Sequence, residues 1–167
     1  FDFEDAFGEQ TGVDNSVLQI YDMLTKEHSP RKIIAFVNQF VTIRNLCEED
    51  IEDKYIALYI FGRKKIAEDP LKEILNPSYL GSLDFLYKED DRMKECVSSL
   101  YFQLPIENAM DVVFTREVTL DLDDGKTDML DRLKSTEKYW EILNHSITNV
   151  TNIEYMFNLC FSLGSSI

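Results

Sequence analysis

The stretch from Ile106 to Leu122, IENAMDVVFTREVTLDL, decides the fold class. Val118-Thr119-Leu120-Asp121-Leu122 alternates apolar and polar residues as a strand does, and Asp124-Gly125 has the residues of a hairpin turn. Against a strand, Ile106, Met110, Phe114, Val118 and Leu122 recur every fourth residue, an unbroken stripe along one helix face. No partner strand follows Gly125. We therefore read the stretch as a helix, with Gly125 as its C-terminal stop. The chain is then all-α, an irregular bundle of about seven to eight helices with no substantial sheet.

Working outward toward the C-terminus, helices are predicted over about Ser135 to Asn149, containing Trp140, and over Asn152 to Leu163. The second carries Ile153, Met156, Phe157, Cys160 and Phe161 on one face and stops at Gly164. Toward the N-terminus, a helix is predicted from about Asp90 to Gln103, ending before Pro105. Ahead of it stand a dense apolar cluster (Tyr79, Leu80, Leu83, Phe85, Leu86, Tyr87) and a short helix, Leu71 to Leu75. Asp69-Pro70 and Asn76-Pro77 break the chain around that short helix. A longer helix is predicted from about Asp50 to Ala67, with Ile51, Tyr55, Leu58, Tyr59 and Phe61 inward. Glu48, Glu49 and Asp50 suit its positive end.

Ser29-Pro30-Arg31 reads as a helix start, with Ser as N-cap and Pro at the first helical position. That helix continues to about Leu46. Ile33, Ile34, Phe36, Val37, Phe40, Val41 and Ile43 cover most of its circumference, so it is expected to be buried on most sides. Its polar residues, Arg31, Asn38, Thr42 and Asn45, gather on one narrow seam. A first helix, Asn15 to Glu27, precedes it and ends at His28. Residues 1–13 show no period and read as an irregular lead-in; 14–167 read as a single helical domain. The chain opens on Phe1 and not Met, which predicts a segment of a longer protein.

Composition narrows the function classes. The 167 residues carry a formal net charge of −14, with 44% hydrophobic residues. Nucleic-acid binding runs on Lys and Arg neutralising phosphates. The densest basic run here, Arg63-Lys64-Lys65, is flanked by acids, so the charge reads as a solvated acidic surface or as one that meets a basic partner. Nucleic acid and anionic membranes are thus poor partners for this segment. No apolar run is long enough to span a bilayer and no signal peptide is visible. Cys47, Cys96 and Cys160 are odd in number and far apart, which fits reduced, buried thiols in a cytoplasmic protein.

The usual catalytic signatures are missing. There is no GxxxxGK[ST], no GxGxxG, no GxSxG and no HExxH. His28 and His145 are isolated, and the acid pairs Asp90-Asp91 and Asp123-Asp124 lack a spaced ligand loop. No catalytic residue and no metal site are predicted for the segment. Arg31 stands out instead, because an unpaired charge on a buried helix is costly. Either Arg31 pairs with a nearby acid such as Asp50 or Glu52, or it points into an interface and meets an anion there.

Ser29-Pro30-Arg31-Lys32-Ile33-Ile34-Ala35-Phe36-Val37-Asn38-Gln39-Phe40 resembles the "PR–x–(I/L)–x–x–F–(I/V)–N" segment of KAP-type P-loop NTPases and related AAA-like ATPases. In those proteins the segment opens a helix of the α-helical region that follows the nucleotide-binding core. The matching arginine often acts as a second sensor that reaches the nucleotide's terminal phosphates. The resemblance implies that Arg31 is the sensor and that Asn38 shares its face. It implies an upstream nucleotide-binding domain, of the same or another protein, as partner. It also implies ATP and magnesium in the parent, with no cofactor in this segment. It covers about a dozen residues, and the P-loop, the Walker B acids and their sheet are absent. The alternative is a stand-alone acidic helical protein-interaction domain in which Arg31 is a core ion-pair member.

Overall fold

The computed structural model describes residues 14–25, 29–47 and 51–151. Among the described residues it holds nine α-helices and no strand, so the chain is all-α. The helices are α1 (Asn15–Leu24), α2 (Pro30–Leu46), α3 (Asp53–Glu68), α4 (Pro70–Leu75), α5 (Asp84–Tyr87), α6 (Asp91–Phe102), α7 (Ile106–Asp123), α8 (Asp128–Leu133) and α9 (Tyr139–Asn149). A 3-10 turn, Gly81–Leu83, precedes α5. Contacts divide the chain into two compact units, Phe1–Ala109 and Met110–Ile167.

In the first unit α3 is the hub, packed against α1, α2, α4 and α6. Tyr55, Ile56, Leu58 and Ile66 of α3 are buried with Val17, Ile20 and Tyr21 of α1 and Met93, Cys96 and Val97 of α6. Tyr21, Phe36 and Phe61 form an aromatic triangle, with ring centroids 5.0, 5.3 and 5.9 Å apart. Such pairs add to the stability gained from burial alone. Asp14, Asp69 and Asp90 cap α1, α4 and α6 by accepting from the N–H groups of Ser16, Lys72 and Met93. Ser29, predicted as the α2 cap, is extended but makes no side-chain cap bond, while Pro30 does occupy the first helical turn.

In the second unit Val113, Val118 and Leu122 of α7 are buried, as are Met129, Leu130 and Leu133 of α8 and Ile142 of α9. Asp121 accepts from the Met129 N–H at 2.9 Å, tying α7 to the start of α8. The buried Ser146 hydroxyl lies 2.8 Å from the Ile142 carbonyl and 3.1 Å from that of Thr115, so α9 is tied to α7 through it. Gly125 follows α7 at φ +71°, the left-handed conformation a helix stop requires, so the helical reading of the deciding stretch holds.

Several expectations change. The first helix ends at Leu24, because Thr25 turns extended. The helix predicted from Ser135 starts at Tyr139, and α8 stands separately before it. The cluster at 79–87 is split: Leu80 and Leu83 are buried, but Phe85 is 79% exposed on the short α5. Helix α2 is not buried on most sides. Only Ile33, Phe36 and Phe40 are buried, while Ile34 is 51% and Val41 41% exposed. The apolar residues of α2 cover one broad arc; the part with Ile33, Phe36 and Phe40 is buried, with Phe36 against Phe61 of α3, while Ile34 and Val41 lie at its outer edge. The predicted lead-in at 1–13 and the helix at 152–163 lie outside the described residues.

Candidate functional site

The site that the sequence singles out is built on α2. Ile33, Phe36 and Phe40, spaced three and four residues apart, fix one face of the helix in the core. The opposite face is thereby set toward solvent. It carries Arg31, Ile34, Asn38, Val41 and Asn45, again at spacings of three and four, and all five are exposed. Arg31 and Asn38 lie two turns apart on this seam, about 10 Å along the axis. The Thr42 hydroxyl donates to the Asn38 backbone carbonyl at 2.7 Å, and Asn38 is exposed. The structure thus brings Arg31 and Asn38 to one face, and interleaves them with two apolar side chains that sequence reasoning had turned inward.

Arg31 sits in the first turn of α2, at the positive end of the helix dipole. That turn contains no acid, and no ion pair engages Arg31 among the described residues. A cation there is repelled by the helix end, at a cost of about 0.3–1 kcal/mol where solvent screens it. The acids near the far end of the helix are engaged elsewhere. Asp53 pairs with Arg44 at 3.2 Å, and Glu52 pairs with Lys54 at 2.6 Å. A 17-residue helix is about 25 Å long, so Glu52 lies well out of reach of Arg31. Asp50, the other acid expected as a partner, lies outside the described residues.

The remaining chemistry-bearing residues are dispersed. His145 is exposed on α9, where its carbonyl accepts from Thr148 and Asn149. Cys96 is buried and Cys47 half-buried, both as free thiols, and burial pushes the Cys96 thiol up to about 11. Among the described residues, no group of three or more His, Cys, Asp and Glu side chains is placed to hold a metal ion. No described helix is long and apolar enough to cross a membrane. No family model, no curated protein and no solved structure matches the chain.

Proposed function

We propose that this chain is the helical lid or regulatory region of a cytoplasmic P-loop NTPase, without catalytic activity of its own. In this reading the outward seam of α2 faces a nucleotide-binding domain. Arg31 reaches the terminal phosphates of ATP held there with magnesium, and Asn38 supports it from the same face. The observation that carries the reading is Arg31 itself. It is exposed at the start of a rigidly anchored helix, without an ion-pair partner among the described residues, and on one face with Asn38. A guanidinium held by a buried frame but left free at its tip suits an anion brought by another domain.

A second reading has its own support. Ile34 and Val41 are exposed between the polar residues, and an apolar stripe on the outside of an anchored helix suits a protein partner with no nucleotide. The two readings separate at Arg31→Ala. As a sensor, its loss from the full-length protein cuts ATP turnover, because the transferring phosphoryl group loses a stabilising charge. In this chain alone the same change shifts the unfolding free energy by less than about 0.5 kcal/mol. Unchanged turnover by a folded Arg31→Ala parent, or a parent gene without a Walker A motif, overturns the sensor reading and leaves the interaction domain.

A further inference from the structure

An arginine three residues ahead of a Ser or Thr occurs twice in the chain, at Arg116–Thr119 and at Arg132–Ser135. A hydroxyl with a cation at that spacing on its N-terminal side is the charge pattern that basophilic protein kinases select, because their substrate grooves carry acids. The structure separates the two. Thr119 lies inside α7, half-buried, and its hydroxyl donates to the Thr115 carbonyl at 2.7 Å. It cannot be laid out in an extended groove without breaking an 18-residue helix. Ser135 lies in the turn between α8 and α9, is exposed, and its hydroxyl makes no hydrogen bond among the described residues.

The surroundings of Ser135 gather positive charge on a chain of net −14. Arg132 and Lys134 precede it by three and one residues, Lys138 follows by three, and all three are exposed. Arg132 enters no ion pair among the described residues, and the acid beside it, Asp131, pairs with Lys134 instead. The local frame is light. Helix α8 has six residues, and its N-cap, Thr127, makes no side-chain cap bond. So short a helix is held by its packed residues, Met129, Leu130 and Leu133, more than by its own hydrogen bonds. The turn after it is closed by Thr136, whose N–H and hydroxyl both donate to the Leu133 carbonyl, at 2.9 and 2.8 Å. Local opening of such a turn lets residues 132–136 extend while the rest of the unit stays folded.

We propose that Ser135 is a phosphorylation site for a basophilic protein kinase, with Arg132 as the residue the kinase reads. The Ser135 Oγ attacks the γ-phosphorus of magnesium-bound ATP. The Oγ–P bond forms, the bond from that phosphorus to the β,γ-bridging oxygen breaks, ADP leaves, and the hydroxyl proton passes to a carboxylate of the kinase. The product carries a charge of about −1.5 to −2 at neutral pH. It stands next in sequence to Lys134 and shortly ahead of α9, whose N-cap makes no side-chain cap bond. A neighbouring ammonium and the positive end of a helix both favour a phosphate. This assignment is independent of the role given to Arg31.

The test is incubation of the folded chain with ATP and calmodulin-dependent protein kinase II, a basophilic kinase, activated by calcium and calmodulin. Tandem mass spectrometry then locates the phosphate. It should fall on Ser135, and Ser135→Ala should remove it. Arg132→Ala should lower kcat/KM for the kinase by about tenfold or more, the effect of losing one charge-assisted hydrogen bond to the kinase's acids. Arg132 is exposed and unpaired among the described residues, so this variant should fold, which circular dichroism checks. Phosphate on Thr119 or elsewhere with Ser135 unmodified would overturn the assignment, as would an unchanged kcat/KM for a folded Arg132→Ala variant. So would a folded chain that takes no phosphate, whether or not a free peptide of residues 130–139 accepts it.

Discussion

The ring of Tyr79 lies directly over Gly62 on α3: a Cβ built on Gly62 would fall 2.5 Å from Tyr79 Cζ. Gly62 is buried in the middle of a 16-residue helix, where glycine costs up to about 1 kcal/mol relative to alanine. The glycine is there for close approach and not for backbone freedom. Gly62→Ala gains the helix propensity but must displace a tyrosine whose hydroxyl is itself buried. Overpacking of this kind costs about 1–3 kcal/mol, so with the propensity gain set against it a net loss of up to about 2 kcal/mol is expected in urea denaturation. A Gly62→Ala variant as stable as the parent would show that Tyr79 moves aside freely.

Asp90 does two jobs at the start of α6. One carboxylate oxygen caps the Met93 N–H at 3.1 Å, and the other accepts from the Tyr55 hydroxyl at 3.1 Å. Asp90→Ala removes a cap worth about 1 kcal/mol and leaves the hydroxyl of the buried Tyr55 without its acceptor, at about 1–3 kcal/mol. We expect a total loss of about 2–4 kcal/mol, with Asp90→Asn recovering part of it. Chemical denaturation of the two variants measures both; a loss under about 0.5 kcal/mol for Asp90→Ala would contradict the double role.

Stability should fall in alkali. Burial raises the Cys96 thiol from 9.0 to about 11. Burial, then the Asp90 carboxylate, raises the Tyr55 hydroxyl from 10.0 to about 12. Both groups keep protons in the folded chain that the unfolded chain has released, so the folded state binds more protons in these windows. Their contribution is present in full below pH 9 and is lost as pH rises, between about 9 and 11 for Cys96 and about 10 and 12 for Tyr55. Urea midpoints from neutral pH upward should drop across this range, and Cys96→Ala should flatten the first part of the fall. A midpoint constant up to about pH 11 would rule this out.

Element type was legible in the sequence wherever a single stripe had to be buried. The i+4 row from Ile106 to Leu122 outweighed the strand-like alternation at its end, since Val118 and Leu122 are both buried in α7. Burial itself was less legible. Helix α2 carries one broad apolar arc, and its composition does not say that only the part with Ile33, Phe36 and Phe40 is buried. Helix α8 was missed because its six residues are too short to establish a period, although Met129, Leu130 and Leu133 stand at helical spacing. Arg31 and Asn38 were singled out by their seam and by the resemblance, and the structure places both on the exposed face of α2.

The one-sided seating of α2 separates what the helix must keep from what it is free to change. Ile33, Phe36 and Phe40 fix its position and rotation, so substitutions on the outer face leave both in place. Mutations there are largely released from the constraint of foldability. Selection can then rewrite the recognition chemistry of the seam, one exposed position at a time, without endangering the scaffold that presents it.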